Sequence, residues 1–462
     1  MSAALKAVPS WRTALMSPIK WAVPDFYDKV PYDSSNAWIL VAPMPFVILQ
    51  IHLLLRYDPK ITLPLRASLI PIIVLLSLRS AYAYYYRVTG EGQLDGRGQQ
   101  INITLGCGAF STIFWSLGWG LTMQRPRLKV QKTQVNGSAR NGEKDVGQHI
   151  PVEELDLPIC FPGTSMPLEL DLLLNVRGVG WEHGVKDGPP ALPVRDFTSH
   201  ERWAWILERM KLVPIYLLIY DAIVVLISDP RFNVHAGTGQ GGSMWDCSRG
   251  SFGVAGPYLI CLAFASSFIC VQYMVHTLAA CISIAVFNDR PSRWDPPAVR
   301  AAWFSTSVSE FWSKKWHQFL RITFMTVGYW PVRAVLLPIA GRRAANIAAI
   351  CGAFIASGLL HDMGRVTMLP EPGWCITGVT LFFSIQPIAI FAEQFWEHCT
   401  GRKVRGFWGW LWTFSWILFT SPLLIEAMST GGMLAARNET LNLTHRPVTH
   451  MLDWWDRKFN SI

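Results

Sequence analysis

The chain has 462 residues, of which 51% are hydrophobic, 13% aromatic and 16% charged, whereas a typical soluble domain has about 25% charged residues. Its formal net charge is +9, but the basic residues sit beside apolar segments and form no stripe that would follow a phosphate backbone, which argues against nucleic acid as a partner. The nine cysteines include no C-x-x-C pair, so neither a disulfide framework nor a metal site is indicated.

Long apolar stretches predict an all-α, polytopic bundle of eight or nine transmembrane helices, because each crossing needs about 20 mostly apolar residues. The stretch 252–287 is long enough for one tilted helix or two broken ones. Arg321 to Ala340 is apolar but contains two prolines and an arginine, and could supply the ninth crossing. In chain order the eight clear candidates are 37–55, 63–86, 101–123, 212–228, 252–287, 344–361, 374–397 and 406–428.

The apolar stretches divide the chain into four regions. Residues 1–123 form an N-terminal transmembrane region, 124–211 a loop region, 212–428 the core and 429–462 a tail. Basic flanks place the loop region and a second polar segment, 288–318, in the cytosol. Within the loop region, the polar stretch 131–154 is predicted to be flexible.

Two glycosylation sequons, at Asn438 and Asn442, agree with a luminal tail, because such sites are modified on the luminal side. Sequons at Asn102 and Asn136 are predicted to be silent, one inside a span and the other in the cytosol. We expect a multi-pass protein of the endoplasmic reticulum.

Two histidines in the core, His317 and His361, are the strongest candidates for chemistry. An imidazole at membrane depth is costly without a purpose or a partner, and it exchanges protons near neutral pH. His361 ends an apolar helix in which Ala345, Ala349, Ala353 and Ser357 recur every four residues. Such a stripe of small residues permits close helix packing, or it leaves a groove beside the imidazole; the sequence leaves both open.

The segment Ser309–Arg321 is predicted to be one amphipathic helix. At 100° per residue, Lys314, His317, Gln318 and Arg321 share a face. The opposite face is aromatic, which is typical of an interfacial helix. The polar face suits a phosphate-bearing cofactor, but an ordinary solvated face is the alternative.

Three further features carry no mechanism by themselves. Arg177–Trp181 reads Arg-Gly-Val-Gly-Trp, a tight turn that lacks the spacing of a phosphate loop. Asp221, inside an apolar run, is predicted to pair structurally. His276 is predicted to be a hydrogen-bonded core histidine.

Taken in order, Arg177–Trp181, Phe311–Arg321 and Ser357–His361 resemble the membrane-bound O-acyltransferase superfamily, and in particular its fungal wax-synthase-like branch. The resemblance covers roughly residues 170–430 and implies an intramembrane reaction chamber with two catalytic positions, which match His361 and His317. Asp362 stands where Glu is common in the family. The resemblance further marks Arg177, Trp181, Trp316 and Ser357 as motif residues with a substrate-binding or a structural role.

The implied reaction is the transfer of an acyl group from acyl-coenzyme A, a co-substrate, to the hydroxyl of a lipophilic alcohol. His361 is the predicted base, and His317 is predicted to orient the acceptor or stabilise the oxyanion. Lys314, Arg321 and Gln318 are predicted to contact the coenzyme. Family members of this branch suggest acetylation of terpenoid or polyketide metabolites. Wax ester synthesis is the alternative, and a transporter is the alternative outside the enzymes.

Overall fold

The computed structural model describes residues 17–25, 28–86, 96–130, 157–185, 188–192, 194, 197–236, 238, 241–316, 318–368, 377–434, 448, 450–451 and 454. His317, Asn136, Asn438, Asn442 and the segment 131–154 lie outside these residues, so the predictions made for them stay predictions.

Helices make up most of the described chain, which confirms the predicted fold class. Two short strands, β1 (Val30–Pro31) and β2 (Tyr84–Tyr85), pair in parallel. The helices are α1 (Met44–Arg56), α2 (Leu63–Ser68), α3 (Ile70–Tyr82), α4 (Gly96–Leu121), α5 (Leu168–Leu174), α6 (Ser199–Met210), α7 (Leu212–Ile227), α8 (Gly256–Phe287), α9 (Val308–Glu310), α10 (Arg321–Phe324), α11 (Trp330–Val366), α12 (Gly378–Thr400) and α13 (Gly406–Thr430). Short 3-10 turns cover Ala37–Leu40, Met244–Arg249, Gly253–Ala255, Pro291–Arg293 and Ala302–Phe304, and π-helical turns cover Phe311–Lys315 and Met325–Tyr329.

Helix ends follow local sequence signals. A proline stands in the first turn of α1, α3 and α8, where its missing N–H costs nothing. Thr198 and Glu201 form a reciprocal capping box at the start of α6. Gly401 ends α12 with a φ of 67°, a left-handed conformation that glycine adopts without strain.

Eight helical segments of the described chain are long and apolar enough to cross a membrane. The ambiguous stretch 252–287 contains one continuous helix, α8, so the single tilted helix was the correct alternative. The longest segment, Arg321–Val366, has 46 residues, more than twice what one crossing needs.

Arg321–Val366 is a helical hairpin that turns at Gly341, whose φ of 75° and ψ of 173° are not helical. Arg333 Nε donates to Asn346 Oδ1 at 2.9 Å across the hairpin. Gly328 lies so close to Gly352 that an added Cβ would come within 2.5 Å of the Gly352 carbonyl oxygen. In both contacts the two paired residues are about equally far from residue 340 in the sequence, so the two arms run antiparallel. Each arm is long enough for a crossing. The apolar stretch 321–340 is therefore a separate helical arm, and its role as a ninth crossing stays a prediction.

The second arm of the hairpin packs antiparallel to α12. A Cβ on Gly358 would meet the backbone of Thr380 at 2.8 Å, and Asp362 binds the start of α12. Arg342 therefore lies at the same end of the bundle as the loop Gly401–Arg405. We call this end the basic end. Helix α4 runs toward it, because Gly106 contacts Gly364 near the opposite end of the second arm, whereas Gly118 contacts Thr326, which is nearer to the Gly341 turn.

The loop after α4 is anchored by a buried carboxylate. Asp171 Oδ1 accepts from Trp181 Nε1 at 2.7 Å, and Asp171 Oδ2 accepts from Arg293 Nη2. Arg293 Nη1 also donates to Asp289 at 2.9 Å. Asp171 thereby joins the Arg177–Trp181 turn to the segment after α8, which the sequence assigned only to a polar cytosolic loop.

Replacing this carboxylate should destabilise the protein. We expect Asp171→Ala to lower the free energy of unfolding by about 3–5 kcal/mol, because it removes one partner of a buried ion pair. The matched control is Asp246→Ala, whose carboxylate is 34% exposed and lies 3.5 Å from its partners; it should cost about 1 kcal/mol or less. Thermal unfolding of detergent-purified protein measures both, and equal losses would contradict the anchoring role.

Candidate active site

His361 lies on the second arm of the hairpin, between α4 and α12. Its Nδ1 is 2.7 Å from the Ser357 carbonyl oxygen. A carbonyl only accepts, so Nδ1 carries the proton in the neutral ring and Nε2 is the proton-accepting nitrogen. The Phe383 ring stacks on the imidazole with centroids 4.7 Å apart. The ring is therefore fixed in both tautomer and orientation by groups that carry no charge.

Asp362 follows His361 in the chain but serves another purpose. Its Oδ2 accepts from the Thr377 N–H at 3.0 Å and from Thr380 Oγ1 at 2.5 Å. Its Oδ1 accepts from Arg365 Nε at 3.0 Å and from the Thr377 hydroxyl. These bonds occupy the carboxylate, so Asp362 joins α12 to the arm that carries His361 and is not the residue that orients the imidazole.

The segment 308–321 differs from the single helix that the sequence predicted. A one-turn helix, α9, leads into the π-helical turn Phe311–Lys315, and the chain is extended at Trp316 with a φ of −89° and a ψ of 129°. A new helix begins only at Arg321. The prediction of a shared helical face was therefore wrong.

Long-range bonds impose this broken path. Glu393 of α12 accepts from the Val308 and Ser309 N–H groups at 2.6 and 3.1 Å. The Gln318 N–H donates to the Ala298 carbonyl at 3.1 Å. Helical periodicity reports only local spacing, so neither contact was visible in the pattern.

The predicted coenzyme residues are separated by this break. Lys314 is exposed and Arg321 is half-buried at the start of α10. Gln318 is buried, and its amide Nε2 donates to the Trp316 carbonyl at 2.7 Å and to the Trp312 carbonyl at 3.3 Å. Gln318 thus closes the turn between the two helical pieces. Trp316 stacks on Phe311 with centroids 5.3 Å apart.

An aromatic cluster fills the bundle next to His361. Trp312 lies at its centre, with ring centroids 5.6 Å from Phe354, 6.2 Å from Phe382 and 5.8 Å from Phe383. Its Nε1 donates to Gln386 Oε1 at 3.3 Å. The sequence pattern did not indicate Phe383 or Gln386. Gln386 could have been found, because it is an amide within the apolar run of α12 and a polar residue in a span needs a partner.

The small-residue stripe packs helices together along most of its length. Ala345 and Ala349 are fully buried, and Ala353 lies beside Gly328 of the first arm. The close-packing alternative therefore describes this part of the hairpin. Ser357, at the end of the stripe, is buried and contributes the carbonyl that fixes His361.

The Arg177–Trp181 turn sits against the start of the hairpin. Gly178 and Gly180 have φ angles of 59° and 89°, which only glycine adopts readily. A Cβ on Gly178 would lie 2.9 Å from Ile322 Cδ1. Trp181 is buried, and Arg177 is 5% exposed. The turn is thus part of the site's surroundings, next to the helix that carries Phe324 to within 6.4 Å of the His361 ring.

Three other polar residues of the spans have structural partners. Asp221 accepts from the Val448 N–H at 2.9 Å, His276 Nε2 lies 3.0 Å from the Trp294 carbonyl, and Asn102 accepts from the Tyr86 N–H at 2.8 Å. The structural readings of Asp221 and His276 agree with these contacts.

Comparison with known proteins finds a match to the membrane bound O-acyl transferase family over residues 294–385, a range that contains the aromatic cluster and His361. The acetyltransferase eriL of Hericium erinaceus is 25% identical over 298 residues, 62% of this chain and 72% of that protein. The acetyltransferase ple2 of Rhodocybe pseudopiperita is 29% identical over 151 residues, 30% of this chain and 38% of its own length. A long-chain-alcohol O-fatty-acyltransferase of Simmondsia chinensis is 27% identical over 110 residues, 24% of this chain and 30% of that protein.

Proposed function

We propose that this chain, a member of the membrane bound O-acyl transferase family, transfers acetyl from acetyl-coenzyme A to a hydroxyl of a lipophilic secondary metabolite. The family membership makes the chain a multi-pass acyl-transferring enzyme. The identity of the donor, the class of acceptor and the roles of the catalytic residues are our proposals. The observation that carries the site assignment is the Nδ1 bond of His361, which leaves Nε2 to act on the acceptor.

The proposed reaction is direct attack on the thioester. His361 Nε2 takes the proton from the acceptor hydroxyl while its oxygen attacks the thioester carbon. The new C–O bond forms, the C–S bond breaks, and the coenzyme A thiolate recovers the proton from the imidazolium. His317 keeps its predicted role of orienting the acceptor or stabilising the oxyanion. A terpenoid or polyketide alcohol is the proposed acceptor.

His361→Ala should lower turnover by a factor of about 10²–10⁴, which is the usual contribution of a general base. The assay measures the release of free thiol from acetyl-coenzyme A with a hydroxylated terpenoid as the acceptor. It uses microsomes, because we propose that the protein resides in the endoplasmic reticulum. His398→Ala is the matched control, since His398 is exposed near the end of α12. Turnover near the wild-type value in a properly folded His361→Ala variant would refute the base.

The aromatic cluster supports a short acyl group. Trp312, Phe354 and Phe382 pack against one another beside the imidazole, and a long acyl chain would have to displace one of them. The plant relatives named long-chain-alcohol O-fatty-acyltransferases favour the second candidate, a wax ester synthase.

Phe354→Ala should therefore raise the ratio of octanoyl to acetyl transfer by about tenfold, because removed ring volume accommodates added methylenes. Phe354 packs on Trp312, and the stacking of His361 on Phe383 is left in place. Phe395→Ala, on a ring that is 69% exposed on α12, is the control and should not change the ratio. Faster wild-type transfer from palmitoyl-coenzyme A to a long-chain alcohol would instead establish the wax synthase.

Lys314 and Arg321 remain proposed coenzyme contacts. We expect Arg321→Gln to raise the KM for acetyl-coenzyme A about tenfold, since hydrogen bonds to charged groups contribute about 1.5–3 kcal/mol. Lys314→Gln should raise it about two- to fivefold, because exposed charges contribute less. Arg249→Gln is the control, because this arginine is 82% exposed and lies in the turn Met244–Arg249, away from the basic end. An unchanged KM in both variants would remove these residues from the coenzyme site.

A further inference from the structure

Arg177 is a buried cation that lacks a full set of hydrogen-bond acceptors among the described residues. The side chain is 5% exposed, and among the described residues its buried Nε and Nη1 atoms have no acceptor. Two other buried arginines, Arg66 and Arg293, have acceptors for most of their guanidinium nitrogens, although Arg293 Nε, like Arg290 Nε, is also without one. Arg66 donates to the carbonyl oxygens of Pro59 and Thr122 at 2.6 and 2.8 Å, and Arg293 pairs with two carboxylates. Burial of an unpaired guanidinium is costly, so Arg177 calls for an explanation.

The surroundings of Arg177 are rich in positive charge. Burial and the nearby Arg300 cation lower the pKa of Arg177 to about 10, against a smaller opposing effect of Asp295. The Asp295 carboxylate is already engaged, because it accepts from Arg209 Nη2 at 2.6 Å and from Trp205 Nε1 at 3.0 Å. An anion with several acceptor oxygens would satisfy this cluster, and guanidinium forks suit phosphate.

The location of Arg177 connects it to the proposed active site. The Lys129 N–H donates to the Gly180 carbonyl at 2.8 Å, which ties the turn to the chain that leaves α4 in the direction of the basic end. The Arg300 N–H donates to the Lys315 carbonyl at 2.9 Å, beside the π-helical turn that holds Lys314. On the other side, Gly178 contacts Ile322, in the same short helix as Phe324 and hence close to His361.

We propose that Arg177, together with Arg300, binds a phosphate group of the acyl-coenzyme A donor and so holds the thioester toward His361. The ligand's identity rests on the proposed function; the need for an anion rests on the burial of Arg177. Neither residue was predicted to contact the coenzyme. In this arrangement the coenzyme approaches from the basic end, and its phosphates lie between the Arg177–Trp181 turn and the segment 300–315.

The test is the affinity of purified, full-length protein for coenzyme A, measured by calorimetry. Arg177→Gln should weaken binding by about tenfold to a hundredfold, the range for a lost charged hydrogen bond. The KM for acetyl-coenzyme A should rise equally, with kcat within about threefold of wild type. Arg249→Gln is the control, because its side chain is 82% exposed; its affinity should match the wild type. Wild-type affinity in Arg177→Gln would overturn the proposal.

Truncated ligands identify the phosphate. If Arg177 binds the 3′-phosphate, 3′-dephospho-coenzyme A should bind wild type and Arg177→Gln equally. If it binds the diphosphate, dephospho-coenzyme A should still distinguish the two proteins, whereas pantetheine should not. A difference that persists with pantetheine would overturn phosphate recognition.

Thermal stability separates a ligand-binding role from a structural one. Without ligand, Arg177→Gln should unfold at the same temperature as wild type or higher, because it removes an unpaired buried charge. A lower unfolding temperature with unchanged coenzyme affinity would assign Arg177 to the fold. If Arg177→Gln fails to fold, Arg177→Lys replaces it, since lysine keeps the charge but loses the fork; unchanged affinity there would overturn the proposal.

The binding assay also separates this inference from the proposed function. Arg177-dependent binding of coenzyme A without acyl transfer to any acceptor would contradict the proposed function alone. His361-dependent transfer with coenzyme binding indifferent to Arg177 would contradict this inference alone.

Discussion

A polar group inside an apolar bundle must find its partner within the protein, and this constraint sets the geometry of the site. Two buried carboxylates, Glu393 of α12 and Asp362 of α11, meet this constraint through hydrogen bonds to neighbouring elements. Glu393 takes the N–H groups that open the broken segment 308–321, and the start of α12 surrounds Asp362 of the neighbouring arm. The helix α12 therefore holds both the entering segment and the helix of His361, and it adds the Phe383 ring that packs on the imidazole.

The proposed role of His361 as a base depends on the fact that Asp362 bonds to other groups and not to the imidazole. A carboxylate beside the imidazole would favour its protonated form, and a protonated ring cannot accept the hydroxyl proton. The Asp362 oxygens instead accept hydrogen bonds from Thr377, Thr380 and Arg365. The partner of Nδ1 is the uncharged Ser357 carbonyl, which fixes the tautomer without a negative charge. A Glu at position 362, which is common in the family that the chain resembles, would also supply two acceptor oxygens for such an anchoring role.

Composition and hydropathy were sufficient for the fold class and for most spans, because the membrane makes apolar length a direct signal. They also marked His361 and the Arg177–Trp181 turn. They did not find the broken path from Phe311 to Arg321, because its causes, Glu393 and Ala298, are distant in sequence. Nor did they assign Gln318 to its two backbone carbonyls. Periodicity describes a segment by itself, whereas this segment takes its shape from neighbours.

The two proposed substrates need different routes to the site, because the donor is charged and the acceptor is apolar. Coenzyme A carries several negative charges and cannot cross an apolar bundle, so its phosphates need cations near an aqueous end; Arg177 and Arg300 lie beside chain segments that lead there. A lipophilic alcohol carries no such charges and, in the proposed reaction, reaches His361 from the apolar interior. The proposed direct transfer requires both substrates at once, and His361 lies between Phe324, in the helix next to the Arg177–Trp181 turn, and Phe383 of the aromatic cluster. If Arg177 binds the donor as proposed, binding of the donor offsets the destabilisation that its buried charge causes in the empty protein.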